Sequence, residues 1–198
     1  MRRVFPIKTG ETYHVYTKSI YHYVIFPTDR EYLRMIDLVR YFREDHKGPR
    51  FSHFIDTVYY KTHGFEAALN HLHPRGGGGM VEIKAFCLMP THVHFILRQA
   101  QDEGIRTFMS HILTSFSLYF NRLHNRNGPL WQGRFGAARI RDQAHFLDRL
   151  DYVHNNPVKD LGLKRPEDWA YSSYRELHGL ASCVPNLLHP RGGGGFMV

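Results

Sequence analysis

The sequence contains little cysteine, since Cys87 and Cys183 are the only two among 198 residues. Two cysteines so far apart form neither a CxxC pair nor a disulfide framework, which argues against a thiolate zinc site. The chain also lacks an apolar run near the roughly 18 residues that cross a bilayer. Its N-terminus has no apolar segment long enough for a signal peptide. We therefore expect a cytoplasmic protein without a membrane partner.

Acidic residues are also scarce, because 18 Asp and Glu stand against 26 Lys and Arg, for a net charge of +8. The shortage is greatest between residues 104 and 141, which contain six arginines and no acid. A domain this basic typically binds a polyanion, for which nucleic acid is the leading candidate and an acidic membrane surface the alternative. Arginines interleaved with Trp131 and Phe135 suit phosphate contact combined with base stacking on a single strand. A solvated basic face is the alternative.

The spacing of apolar residues predicts a mixed fold, and a hydrophobic content of 42% is enough for one domain with a real core. Alternating segments predict strands at 12–17, 80–89, 92–98 and 135–140, with a further candidate strand at 51–58. Helical spacing predicts helices at 28–44, near 65, at 105–124 and at 143–155, the last closed by Pro157. We therefore predict an α+β fold, an antiparallel sheet of the ferredoxin-like split βαβ type with helices packed on one face.

A glycine-rich heptapeptide, His-Pro-Arg-Gly-Gly-Gly-Gly, occurs twice, at residues 73–79 and 189–195. Four consecutive glycines are costly to hold in one conformation. We therefore predict one domain over residues 1–180 with a flexible insertion at 73–79, and a flexible C-terminal tail over residues 181–198. No binding chemistry is assigned to either copy.

Two histidines stand two residues apart in the second strand of the predicted hairpin, within Met89-Pro90-Thr91-His92-Val93-His94-Phe95. Because successive side chains of a strand point to opposite faces, His92 and His94 project together while Val93 and Phe95 enter a core. Two imidazoles side by side on a rigid strand can hold a metal ion. In a chain with 15 histidines, a pair of ordinary surface histidines is the alternative.

The last long predicted helix carries Tyr152 and Asn156 four residues apart, so that a phenol and an amide are neighbours on one helix face. The apolar stripe of this helix lies elsewhere, at Phe146, Leu147, Leu150 and Val153. The alternative is an exposed tyrosine and an asparagine that ends the helix. Tyr119 is the competing tyrosine, but it falls within the apolar stripe of its own helix, which favours a core role.

Together these motifs resemble the REP-associated tyrosine transposases and the single-tyrosine transposases of bacterial insertion sequences, both of the HUH class. The resemblance covers most of the chain. It rests on Tyr13–Ser19 with Ile25 and Phe26, Met89–Phe95, Gly128–Phe135, Tyr152–Lys159 and Trp169–Tyr174, in that order. It implies the HUH endonuclease fold, a form of the split βαβ sheet already predicted.

The resemblance also implies an activity, namely cleavage and rejoining of single-stranded DNA. Tyr152 would be the nucleophile that forms a 5′-phosphotyrosine, and His92, His94 and Asn156 would bind a divalent metal, Mg²⁺ or Mn²⁺. Imidazole ligands favour the softer Mn²⁺. Insertion-sequence relatives often carry Gln in place of this Asn156. The implied partner is single-stranded DNA beside a hairpin or palindromic repeat end, met in the nucleoid by a monomer or a homodimer.

The basic segment supplies the predicted DNA contacts, which are Arg122, Arg126, Trp131, Arg134, Arg139 and Arg141. Three other functions remain open at this point, and the least favoured of them is a structural RNA-binding module. A repeat-DNA-binding protein without catalysis would bind DNA without forming a covalent adduct. A metal-dependent nuclease that uses the two histidines would release free DNA ends and would tolerate Tyr152→Phe.

Overall fold

The computed structural model describes residues 6–44, 48–73 and 79–188. Four strands form its sheet, namely β1 (Thr12–Lys18), β2 (Val81–Met89), β3 (His92–Gln99) and β4 (Gly136–Ile140). The helices are α1 (Asp29–Phe42), α2 (Phe51–Asp56), α3 (Val58–Leu72), α4 (Gly104–Leu123), α5 (Gln143–His154), α6 (Asn156–Leu161) and α7 (Tyr174–Leu177). Glycine-rich residues 74–78 and 189–195 lie outside the described residues, so their predicted flexibility stays a prediction.

The strands lie in the order β2-β3-β1-β4, and every neighbouring pair is antiparallel. Helices α1 to α3 connect β1 to β2, and β3 inserts between these two strands. Helix α4 then connects β3 to β4, which pairs with the outer edge of β1. This is the split βαβ arrangement, and the predicted fold class is confirmed.

The first face of the sheet carries the main hydrophobic core, beneath α1 and α4. Val15 of β1 and Phe95 of β3 are cross-strand partners there, and both are fully buried. The ring centroid of Phe95 lies 6.3 Å from that of Phe108 in α4. The buried α1 and α4 residues of this core include Met35, Ile36, Leu38, Val39, Ile105, Phe108, Met109, Ile112 and Phe116.

The second face carries a smaller apolar cluster, formed with α5 by Ala85, Cys87, Met89, Ile96, Ile140 and Val153. Helices therefore cover both faces, which corrects the prediction that they pack on one face only. The physical reason lies in β3, where every residue from His92 to Leu97 is buried. A strand buried on both faces requires a covering layer on each side.

Residues 51–58 form helices, so the predicted strand in this segment is wrong. Phe51 and Phe54 are three residues apart, a spacing that places both rings on one side of α2. Both pack on Tyr41, with ring centroids 5.1 Å and 4.8 Å from the tyrosine ring. Burial of these two rings therefore selects the helix over the extended chain.

The C-terminal part of the domain differs from the prediction in two places. Pro157 does not simply end a helix but lies in the first turn of α6, where a missing N–H is tolerated. Residues 181–188 are not a flexible tail, because Val184 and Leu187 are buried and Arg43 donates to the Leu187 carbonyl at 2.9 Å. Within residues 6–44, 48–73 and 79–188, no helix is long and apolar enough to cross a membrane.

Candidate active site

Strand pairing places the two predicted metal-binding histidines on the second face of the sheet. His92 is the cross-strand partner of Lys18, and His94 is the partner of Tyr16. The rings of His92 and His94 meet edge to face, with centroids 5.0 Å apart. Their exposed fractions are 9% and 4%, so they are not ordinary surface histidines.

His14 is a third imidazole at this site, and the sequence reasoning did not single it out. Its Nε2 lies 2.9 Å from Nδ1 of His94, and the two rings are stacked with centroids 5.1 Å apart. Burial lowers the pKa of His94 to about 2. Burial, with a smaller contribution from the Arg149 charge, lowers the pKa of His14 to about 4. Both rings are therefore neutral at pH 7, and a single proton occupies the hydrogen bond between them.

The surroundings of His92 leave one ring nitrogen facing the site. Nδ1 lies 3.1 Å from Thr91 Oγ1, and Nε2 lies 3.8 Å from Asp160 Oδ2. Burial lowers the pKa of His92, while the Asp160 carboxylate and a hydrogen bond with the Asn156 side chain act in the opposite direction. Asp160 was missed from the sequence, although its spacing of four residues from Asn156 repeats the Tyr152–Asn156 spacing.

Helix α5 brings the predicted nucleophile to these histidines. The Asp142 carboxylate caps its first turn by accepting the backbone N–H of His145 at 2.8 Å. Val153 is fully buried in the second-face cluster, whereas Tyr152 keeps 36% of its surface exposed. The Tyr152 ring stands edge-on to both His14 and His94, with centroids 5.7 Å away in each case. The phenol therefore adjoins the histidines and is open to a large substrate.

Asn156 joins the same site from the beginning of α6. Its side chain is buried, and its Nδ2 donates to the Tyr152 carbonyl at 2.7 Å. That hydrogen bond fixes the amide group, which is also hydrogen-bonded with His92. The predicted residues His92, His94, Tyr152 and Asn156 are thus brought together by β3 and the junction of α5 and α6.

The donor set at the site can be compared with what a divalent ion requires. In the described part of the chain, no three His, Cys, Asp or Glu side chains cluster so that they could hold a metal ion. The resemblance implies the Asn156 amide oxygen as the third donor, beside one ring nitrogen each of His92 and His94. Two neutral imidazoles and an amide oxygen suit an ion of intermediate softness such as Mn²⁺. These residues fit the implied metal.

Two cations flank the predicted nucleophile, and neither was predicted as a site residue. The Arg149 guanidinium carbon lies 5.5 Å from the centroid of the Tyr152 ring. Lys159 Nζ lies 5.6 Å from the same centroid. Arg149 precedes Tyr152 by three residues on α5, which places the two side chains next to each other. Helical spacing alone could have found it.

The predicted DNA-binding residues fall into two groups. Arg122, Arg134 and Arg141 are exposed on the surface. The remaining three are engaged by the domain itself. Arg126 donates to Asn121 Oδ1 at 3.0 Å and to the Pro129 carbonyl at 2.8 Å.

The other two engaged residues are Trp131 and Arg139. The Trp131 indole N–H donates to the Leu113 carbonyl at 3.1 Å, and Arg139 forms an ion pair with Glu11 at 2.6 Å. Tyr119, the rival tyrosine, is partly buried at the first-face core, where the Arg34 guanidinium lies 4.7 Å from its ring centroid. It takes no part in the histidine site.

Comparison with known proteins matches the chain to transposases. The family model described as "Transposase IS200 like" matches residues 53–156, a range that contains all four predicted site residues. A Haemophilus influenzae protein described as a REP-associated tyrosine transposase is 30% identical over 103 residues, which make up 47% of this chain and 58% of that protein. The REP-associated tyrosine transposase of Escherichia coli strain K12 is 30% identical over 93 residues, 47% of this chain and 54% of that protein. The chain thus spans just over half the length of these relatives.

One solved structure shares the architecture. It is a REP-associated tyrosine transposase bound to a REP hairpin, with a TM-score of 0.55 over 100% of this chain and 99% of that chain. The sequence identity is 18%, so this similarity supports the fold alone.

Proposed function

Because the chain belongs to the family of IS200-like transposases, we propose that it cleaves and rejoins single-stranded DNA through a 5′-phosphotyrosine on Tyr152. The observation that carries the proposal is the half-open phenol of Tyr152, set edge-on against the buried His94 and His14 rings. The DNA would lie beside a hairpin repeat end, by analogy with the hairpin-bound structural neighbour. The exposed Arg122, Arg134 and Arg141 are the predicted residues best placed to contact its phosphates.

In the proposed reaction, Tyr152 Oη attacks the phosphorus of a phosphodiester. A bond forms between Oη and phosphorus, and the bond between phosphorus and O3′ breaks. The phenol proton is lost to solvent, and O3′ takes up a proton from solvent to become a 3′-OH. The tyrosine ester conserves the energy of the phosphodiester, so a later 3′-OH can reverse the step without ATP.

The chain would hold a divalent ion, Mn²⁺ or Mg²⁺, through Nε2 of His92, Nε2 of His94 and Oδ1 of Asn156. When bound, the ion supplies Lewis-acid polarisation of a non-bridging phosphate oxygen. With Nε2 of His94 used as a ligand, its Nδ1 must carry the proton of the neutral ring and donate it to Nε2 of His14. His14 thereby sets the tautomer of the ligand, a role that partners of metal-bound histidines commonly have.

Adduct formation tests the proposal directly. Labelled single-stranded hairpin oligonucleotides would be incubated with the protein and Mn²⁺, then separated on a denaturing gel. We expect a protein-linked DNA band that requires the metal and disappears in Tyr152→Phe and in His92→Ala. Tyr119→Phe is the matched control, because it removes one phenol oxygen from the other face of the sheet and should leave the band intact.

The outcomes separate the competing functions. Loss of the band in Tyr119→Phe instead would move the nucleophile to α4. Free DNA ends that persist in Tyr152→Phe would indicate a nuclease that uses the histidines without the tyrosine. Tight hairpin binding that never yields an adduct would favour a repeat-binding protein without catalysis.

A further inference from the structure

Arg149 stands at the proposed active site, where no described residue of opposite charge pairs with it. Its guanidinium lies beside the Tyr152 ring, and its charge contributes to the lowered pKa of His14 across the α5–β1 interface. In the part of the chain that the structure describes, Nε of Arg149 is buried and has no hydrogen-bond partner. The nearby Asp151 carboxylate instead accepts the Asn155 amide at 2.7 Å. Leaving a buried charged donor unsatisfied costs free energy, so such a group calls for an explanation.

A comparison with Arg34 shows why packing against aromatic rings does not explain the unpaired Nε of Arg149. Arg34 also has a buried Nε without a hydrogen-bond partner among the described residues. Its guanidinium, however, lies close to two rings, 4.4 Å from the centroid of Phe51 and 4.7 Å from that of Tyr119. Arg34 is therefore accounted for by stacking on aromatic faces. Among the described residues, Arg149 lies near one ring, that of Tyr152, which is itself exposed.

A second cation approaches the same ring from a different element. Lys159 of α6 places Nζ 5.6 Å from the Tyr152 centroid, while Arg149 of α5 approaches at 5.5 Å. Among the described residues, neither cation forms an ion pair with a carboxylate, so an anion bound beside the Tyr152 ring would be attracted to both charges. An arginine fork offers parallel N–H donors that match two oxygens of a phosphate, and a lysine adds a point charge. The arrangement is that of an anion site next to the nucleophile.

We propose that Arg149, assisted by Lys159, binds the non-bridging oxygens of the phosphodiester that Tyr152 attacks. The inference rests on the proposed function for the identity of the phosphate as the scissile one. The terminal nitrogens of Arg149, on the outer side of the buried Nε, are the donors to the phosphate. There they hold the phosphorus near Tyr152 Oη and stabilise the charge that builds up on its oxygens during attack.

Anion binding is measured first, on the metal-free full chain and with inorganic phosphate as the probe. The buried Nε–H of Arg149 is shielded from solvent, so its proton–nitrogen resonance is a suitable reporter, assigned by its absence in Arg149→Lys. We expect a saturable shift of this resonance with phosphate but not with chloride at equal ionic strength. The matched control is Arg34 of α1, whose Nε is likewise buried but lies on the other face of the sheet, and its resonance should not respond.

A second measurement keeps the inference separate from the proposed function. In the adduct assay with Mn²⁺, Arg149→Gln should slow phosphotyrosine formation by about 100- to 1,000-fold, the usual effect of removing one preorganised donor to a transition-state oxygen. Arg149→Lys should recover part of the rate, and Arg30→Gln should match the unaltered chain. Circular dichroism and the melting temperature of each variant establish that it is folded.

The outcomes are as follows. A saturable Arg149 response together with slow adduct formation in Arg149→Gln supports the inference. A saturable Arg149 response in a chain that forms no adduct supports the anion site but contradicts the proposed reaction. No response at millimolar phosphate, or equal responses from Arg149 and Arg34, overturns the inference even if Tyr152 forms its adduct.

Discussion

The two faces of the sheet are built from the same strands, yet they bury different chemistry. On the first face, Val15 and Phe95 belong to a large apolar core under α1 and α4. On the second face, His14 and His94 are almost as completely buried, but they are polar and neutral. Burying polar rings contributes little stability, so the first face must supply most of the free energy that holds the site in place.

The largest expected effect is a difference in the free energy of unfolding between Phe95→Ala and His92→Ala. These two residues of β3 point to opposite faces of the sheet. Phe95→Ala should lower the free energy of unfolding by about 3–5 kcal/mol, because it leaves a cavity in the main core. His92→Ala lies at the rim of the second face and should cost about 1 kcal/mol while abolishing the DNA adduct. Urea unfolding of both variants gives the two values. A larger loss of stability for His92→Ala than for Phe95→Ala would contradict the conclusion that the first face supplies most of the stability.

Two glycines provide the next test. A Cβ at Gly104 would lie 2.2 Å from the backbone oxygen of Met80, so Gly104→Ala forces the backbone to shift. We expect a cost of about 1–3 kcal/mol, typical of overpacking.

Gly136 is the matched position on the second face. A Cβ there would lie 2.5 Å from the Tyr16 ring, whose tip is exposed and can swing aside. Gly136→Ala should therefore cost less than Gly104→Ala while displacing the Tyr16 ring. Thermal unfolding ranks the two variants, and an equal or reversed order would show that the second face is packed as rigidly as the first.

The smallest expected effect is a change in Mn²⁺ affinity, which tests the role of the buried His14–His94 pair. His14→Phe removes the acceptor for His94 Nδ1 but keeps a ring on β1, and it should weaken Mn²⁺ binding by about 10- to 100-fold. His14→Gln offers an amide oxygen in place of Nε2 and should restore most of the affinity. Electron paramagnetic resonance of free Mn²⁺ measures both dissociation constants. Unchanged binding in His14→Phe would show that His94 needs no partner.

Much of the site could be predicted from local spacing. His92 and His94 share a face because strand side chains alternate, and Tyr152 and Asn156 adjoin because they stand four apart at the end of a helix. The segment at 51–58 was predicted incorrectly because a short apolar run fits either a strand or a helix until its packing partner is known. Here that partner is Tyr41 of α1.

Other parts of the site depend on contacts between distant segments. His14 and His94 are 80 residues apart, and no local period shows that they share a hydrogen bond. The same holds for Arg149, whose distance from His14 depends on how α5 crosses the second face. Sequence spacing places Arg149 beside Tyr152, but it cannot show that no carboxylate pairs with it.

The order of the four sheet strands and of helices α1, α4 and α5 follows from the amino-acid sequence alone. So do the split βαβ class and the shared faces of His92 with His94 and of Tyr152 with Asn156. These features depend on the two-residue period of a strand and the 3.6-residue period of a helix, which are local properties of the backbone. Tertiary packing decided that helices cover both faces, that His14 adjoins His94, and that Arg149 and Lys159 lie beside the Tyr152 ring. Such contacts depend on strand register and helix placement, which arise when the whole chain buries its apolar surface at once.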